Sequence, residues 1–135
     1  MALDIQEHDR EGIAILELRG RIVVGAEASA LRDKVSSLTA AGKANLVLNM
    51  QHVDFIDSTG LGALVICATS LRKNGGNIKL VNLNRRNIEL LVMTKLATVF
   101  EIYTDETDAV SSYYPDRKIQ SFDILNFVRQ MKKDE

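Results

Sequence analysis

The chain has 135 residues, 46% hydrophobic and 26% charged, with a formal net charge of −1. That describes one soluble globular domain with a full core and leaves no bulk electrostatic drive toward nucleic acid or an anionic membrane surface. A lone cysteine excludes an internal disulfide and fits a reducing, cytoplasmic setting, no apolar run reaches a membrane span, and Met1-Ala2-Leu3-Asp4-Ile5 lacks the basic-then-apolar order of a secretory leader.

Ile13-Ala14-Ile15-Leu16-Glu17-Leu18 reads as an aliphatic strand, with Leu3 to Glu7 as its hairpin partner and Arg10-Glu11-Gly12 as the turn. Gly20 and Gly25 punctuate its exit. From Ala26 the period becomes helical through Ala28, Leu31, Val35 and Leu38, and Gly42 stands where a terminating glycine belongs. Residues 45–49 form a buried strand. A helix from Leu61 to Arg72 follows, then a turn at Asn74-Gly75-Gly76-Asn77 and a strand from Ile78 to Leu83. Ile88, Leu91, Val92 and Leu96 give another helical stripe with Arg85, Arg86 and Asn87 at its start. Val99 to Tyr103 makes a last strand, and Asp105 to Tyr113 a last core helix. This alternation predicts a single α/β domain over residues 1–114: a mixed sheet, opened by a hairpin and continued by parallel crossovers. Pro115 breaks the pattern. Residues 115–135 are an extension in which Ser121 is placed to cap a helix carrying Phe122, Ile124, Leu125, Val128 and Met131, ending in the charged run Lys132-Lys133-Asp134-Glu135. That helix either packs back on its own domain or serves as a docking element for a partner or a second copy.

The most informative stretch is Asp57-Ser58-Thr59-Gly60-Leu61-Gly62. It sets a carboxylate, two hydroxyls and two glycines at a strand-to-helix junction. A helix N-terminus favours anions through its free N–H groups and its dipole, so a hydroxyl there is a good phosphoryl acceptor. The plain alternative is that Ser58 or Thr59 only caps the helix. Machinery for chemistry is not visible beside it. The chain lacks a phosphate-binding loop motif, a dinucleotide glycine motif and a nucleophile elbow. His8 and His52, its two histidines, have no metal-ligand spacing and read as surface residues, and Cys67 falls on the core stripe. These features predict no metal and no cofactor.

Leu46-Val47-Leu48-Asn49 followed by Val53-Asp54-Phe55-Ile56-Asp57-Ser58-Thr59-Gly60-Leu61-Gly62-Ala63-Leu64 resembles the signature of the STAS domain, the family of bacterial anti-sigma factor antagonists; Gly75-Gly76-Asn77-Ile78-Lys79-Leu80-Val81 resembles that family's later turn and strand. The likeness spans about residues 4 to 113. It implies a non-enzymatic binding switch. The serine after the aspartate, here Ser58, is phosphorylated by a partner that is both an anti-sigma factor and a serine kinase of the GHKL type. The unphosphorylated antagonist captures that partner and frees sigma, and a separate phosphoserine phosphatase resets the cycle. Under this resemblance Asp57 tunes the site, Thr59 is a secondary acceptor or cap, and Gly60 and Gly62 shape the loop. One departure stands out: where the family often carries an acidic residue after Gly20, this chain has Val23 within Gly20-Arg21-Ile22-Val23-Val24. An apolar surface at Val23 and Val24 suits a different partner or a homodimer, unless Val23 points into the core. Two rival readings remain. One is a STAS scaffold in a signalling or transport complex without a phosphoswitch. The other is a small hydrolase, which would need His8 or His52 within reach of Ser58.

Overall fold

The computed structural model describes residues 3–134; Met1, Ala2 and Glu135, the outermost residues of the leader and charged-end readings, lie outside the described residues. The chain runs through β1 (Asp4–Arg10), β2 (Ile13–Ile22), α1 (Ala26–Ala40), β3 (Asn45–Ile56), α2 (Ser58–Lys73), β4 (Asn77–Val81), α3 (Arg85–Met93), β5 (Glu101–Tyr103), α4 (Glu106–Ser111) and α5 (Ile124–Asp134). The five strands form one sheet in chain order. β1 pairs antiparallel with β2, and all later pairs are parallel. The mixed sheet with an opening hairpin is therefore as expected. The hairpin turns on Glu11 and Gly12, both at positive φ (55° and 86°), the conformation a two-residue primed turn requires.

Alternation along the central strands sorts the core onto two faces. Leu46, Leu48 and Met50 of β3 join Leu16 and Leu18 of β2 and Ile78 and Leu80 of β4 in the main core, against Leu31, Val35 and Leu38 of α1, Leu64, Cys67 and Leu71 of α2 and Leu91 of α3. Ile15, Val47, Val81 and Tyr103 face the other way, toward Ala109 and Val110 of α4. On that second face Lys79 is buried, its Nζ 2.7 Å from Ser112 Oγ, 3.4 Å from Glu101 and 4.0 Å above the Tyr113 ring. Burial lowers its pKa, partly countered by Glu101.

Several element ends differ from the sequence expectation. β3 continues to Ile56 rather than ending at residue 49, since β2 also extends to Ile22 and pairs with it across two register shifts. On its other side the β3 extension has outrun β4. There the side chains of Asn84 and Asn87 donate to the Val53 carbonyl (3.2 and 3.0 Å) in place of a strand. β4 ends at Val81, before Asn82 turns to φ 59°, and β5 is shortened to Glu101–Tyr103. Leu96 falls outside α3 because Lys95 adopts φ 64° and the Leu96 N–H closes on Leu91 O (2.8 Å), a helix-terminating bond. Ser121 does not cap the last helix. It makes an antiparallel bridge to Tyr103, Phe122 N–H donates to Ile102 O (2.9 Å), and Asp123 accepts from Asn126 N–H instead (2.9 Å). The tail thus covers part of the β5 edge, which would otherwise be open to pairing. Phe122 and Ile124 pack against the main core, whereas Leu125 is 70% exposed.

Candidate functional site

The parallel ends of β2 and β3 bring two loops side by side, one entering α1 and one entering α2. Asp57 joins them. Its Oδ1 accepts the Gly60 N–H (2.7 Å), capping α2, and its Oδ2 accepts the Val24 N–H (3.0 Å) from the other loop. Its own N–H donates to Ile22 O (3.2 Å). The Val24 and Gly60 N–H groups, with lesser help from the Thr59 N–H and the Arg21 charge, hold the Asp57 carboxyl below the usual carboxylate range. The cap of α2 is therefore Asp57, and neither hydroxyl residue fills that role.

Beneath the loop, Gly60 lies against the β2 backbone so closely that a Cβ there would sit 1.9 Å from Ile22 O. Only glycine fits. Gly62 has no atom within 4 Å of where its Cβ would be. Of the two glycines singled out in the sequence, one permits close packing and the other opens a groove.

Ser58 is the first residue of α2, and its side chain is exposed. Among the described residues its hydroxyl has no hydrogen-bond partner. Thr59 is exposed beside it and lines a groove of about 460 Å³ between α1 and α2, together with Val24, Ala28, Arg32, Gly62 and Ile66. Val24 is 64% exposed and Ile66 55%. Val23 is half-buried, its carbonyl accepting the Ala28 N–H (3.0 Å) at the start of α1, so it belongs to neither the core nor the open surface. Ile66, Arg32 and the Ile22 carbonyl were missed in the sequence. Ile66 alone carried a signal: Val65-Ile66-Cys67 is an apolar run too wide for one helical face, so one member must point outward.

Potential catalytic groups lie elsewhere. His8 contacts Glu106 across the second face of the sheet, and no hydrogen bond links either histidine to Ser58. Cys67 is buried, and burial pushes its thiol up to about 11, a neutral packing group. Among the described residues no helix is long and apolar enough to cross a membrane.

This arrangement, a serine exposed on an aspartate-capped helix start after the third strand of a mixed sheet, agrees with three comparisons. The model of the STAS domain matches residues 4–109. The anti-sigma-B factor antagonist of Bacillus subtilis (strain 168) is 33% identical over 102 residues, which are 76% of this chain and 92% of that protein. Among solved structures, an anti-sigma factor antagonist from Mycobacterium paratuberculosis superposes with a TM-score of 0.73 at 23% identity, covering 82% of this chain and 93% of that one. The Bacillus cell fate determinant SpoIIAA in its phosphorylated form superposes with a TM-score of 0.63 at 18% identity, covering 83% and 99%. The chain belongs to the STAS domain family. Its curated relatives include anti-sigma factor antagonists, which are binding proteins.

Proposed function

We propose that this chain is an anti-sigma factor antagonist whose affinity for its partner is set by phosphorylation of Ser58. The observation that carries this reading is the Ser58 hydroxyl: exposed, without a hydrogen-bond partner among the described residues, and fixed at the first position of a helix whose cap is supplied by a different residue. A hydroxyl with no structural task is free for modification. The relative that shares a third of its matched residues is named an antagonist of an anti-sigma factor, which supports the same role.

The site offers an acceptor and no base. Both Asp57 carboxylate oxygens accept backbone N–H bonds, and no imidazole hydrogen-bonds Ser58. The transferring machinery therefore has to come from the partner, a GHKL-type serine kinase that is also the anti-sigma factor, and a phosphoserine phosphatase reverses the step. Phosphorylation adds about −1.5 to −2 charges at a surface where the unmodified protein offers neutral hydroxyls beside exposed Val24 and Ile66. The Asp57 carboxylate repels that charge and the α2 N-terminus attracts it, while a partner packed against the site meets it unpaired. The reaction cycle is placed in the cytoplasm, where the sigma factor acts.

The test is titration calorimetry of the unmodified protein, Ser58→Ala and Ser58→Glu against the partner kinase at fixed salt, with mass spectrometry of the phosphorylated product. Ser58→Ala should bind at least as well as the unmodified chain, and Ser58→Glu at least about tenfold more weakly, since unpaired charge at a close interface costs a few kcal/mol. Equal binding by all three forms, or phosphate on another residue, would leave the non-switching scaffold as the better reading.

A further inference from the structure

The second face of the sheet carries a polar cluster that the switch does not use. His8 of β1, Glu17 of β2 and Glu106 of α4 each offer one donor atom, and the three atoms lie within 4.8 Å of one another. Glu106 is well held. Its Oε1 lies 3.5 Å from His8 Nε2 and 3.4 Å from Arg10 Nη1, and its Oε2 accepts from Asn49 Nδ2 (2.7 Å). Asn49 is buried, and its Oδ1 accepts from Gln51 N–H (3.1 Å) and Asn82 Nδ2 (3.3 Å), so the amide that orients Glu106 is itself locked. Glu17 differs: it is half-buried, and among the described residues its carboxylate has no hydrogen bond and no ion pair. Two carboxylates thus converge, while the Arg10 guanidinium and the His8 imidazole pair only with Glu106.

We propose that His8, Glu17 and Glu106 form a divalent-metal site of the zinc class, with water completing the coordination. The donor set, one imidazole nitrogen and two carboxylate oxygens, suits zinc. Ligands on a tetrahedral zinc at about 2.0–2.1 Å stand roughly 3.3 Å apart, so side-chain rotation of the exposed His8 and the unpaired Glu17 toward the held Glu106 would close the 4.8 Å triangle. The ion would supply Glu17 with its missing counter-charge and relieve the repulsion between the carboxylates. Asn49 would act as the outer residue that orients a ligating carboxylate. Because the ligands come from β1, β2 and α4, the ion would fasten the short α4 to the hairpin edge of the sheet. The separation of the three in sequence is why no ligand spacing shows there.

Calorimetric titration of the full chain with Zn²⁺ at about pH 7.5 tests this. One ion per chain should bind saturably, with affinity falling roughly tenfold or more in Glu17→Gln and in His8→Gln, and unchanged in His52→Gln. Zn²⁺ should raise the melting temperature of the unmodified chain and of His52→Gln, not of the two ligand variants. In the unmodified chain, Mn²⁺ should broaden the amide resonances of residues 8, 17 and 106 first, a readout that needs no variant to fold. No saturable binding up to about 1 mM Zn²⁺, equal binding by both ligand variants, or broadening centred elsewhere would overturn the site.

Discussion

Replacing Gly60 with alanine should damage the protein far more than the same change at Gly62, two residues along the same helix. A Cβ at position 60 would lie 1.9 Å from Ile22 O and 2.6 Å from Ile22 C, where ordinary contact begins at 3.4 Å. The obstacle is backbone, so α2 and β2 must part by roughly 1.5 Å, and no rotamer change relieves the clash. The same Ile22 carbonyl accepts the Asp57 N–H at 3.2 Å, and separation breaks that bond too. Overpacking of about 1–3 kcal/mol plus about 1 kcal/mol for the bond gives a loss of about 3 kcal/mol. At position 62 nothing lies within 4 Å, and alanine gains about 0.5–1 kcal/mol over glycine inside a helix. Thermal melts should therefore put Gly60→Ala roughly 10 °C or more below the unmodified chain, and Gly62→Ala level with or slightly above it. Equal melting temperatures for the two variants would refute the close approach of α2 to β2.

Asp57 should make the protein acid-sensitive: its pKa lies below that of an ordinary aspartate, so its stabilisation is complete above the ordinary value and lost as pH falls through the lower folded value. Urea midpoints measured from pH 6 downward should fall less steeply in Asp57→Asn, and identical slopes would show that the Val24 and Gly60 bonds do not stabilise the carboxylate. Tyr113 shares its single hydroxyl proton between Leu46 O (2.7 Å) and Asn77 O (2.9 Å), so Tyr113→Phe should lower stability by about 1 kcal/mol in a urea titration. Deleting residues 123–135 should leave a cooperative melt, because α5 buries no residue fully. Deleting 115–135 should also leave a folded domain but lower its melting temperature further, since Arg117 then leaves Glu11 and the 121–122 segment no longer covers β5. Aggregation of the shorter deletion would place α5 within the core.

Much of this was legible in the residues. Where a strand is buried on both faces, as at 46–48, or a helix has one apolar stripe, as at Leu31/Val35/Leu38, burial and local periodicity agree and the element is readable. The helix after the junction was readable for the same reason, although it begins at Ser58 and not at Leu61. What was not readable depended on partners distant in sequence. β3 runs on to Ile56 only because β2 matches it and two asparagine side chains finish its free edge. Ser121 looks like a cap by type, yet β5 offers its edge, and a bridge there wins over a local side-chain bond. At the site the sequence offers Ser58 or Thr59 as the cap, and the carbonyl of Ile22 and the N–H of Val24, from another strand and loop, instead fix the aspartate in that role.

That division of labour bears on how a switch here would work. Had Ser58 capped α2, adding phosphate to its oxygen would have removed the cap and loosened the helix, and the signal would have been partial unfolding. The cap instead belongs to Asp57, which also ties down the loop into α1, and Gly60 seats the first turn of α2 on the β2 backbone. The serine rides on this platform without supporting it. Phosphorylation of Ser58 then changes charge and bulk at one point on an otherwise fixed surface, next to the Val24 and Ile66 side chains that border the groove. A partner would sense the phosphate directly, at the cost of an unpaired charge at its interface, and the domain itself would keep its shape in both states.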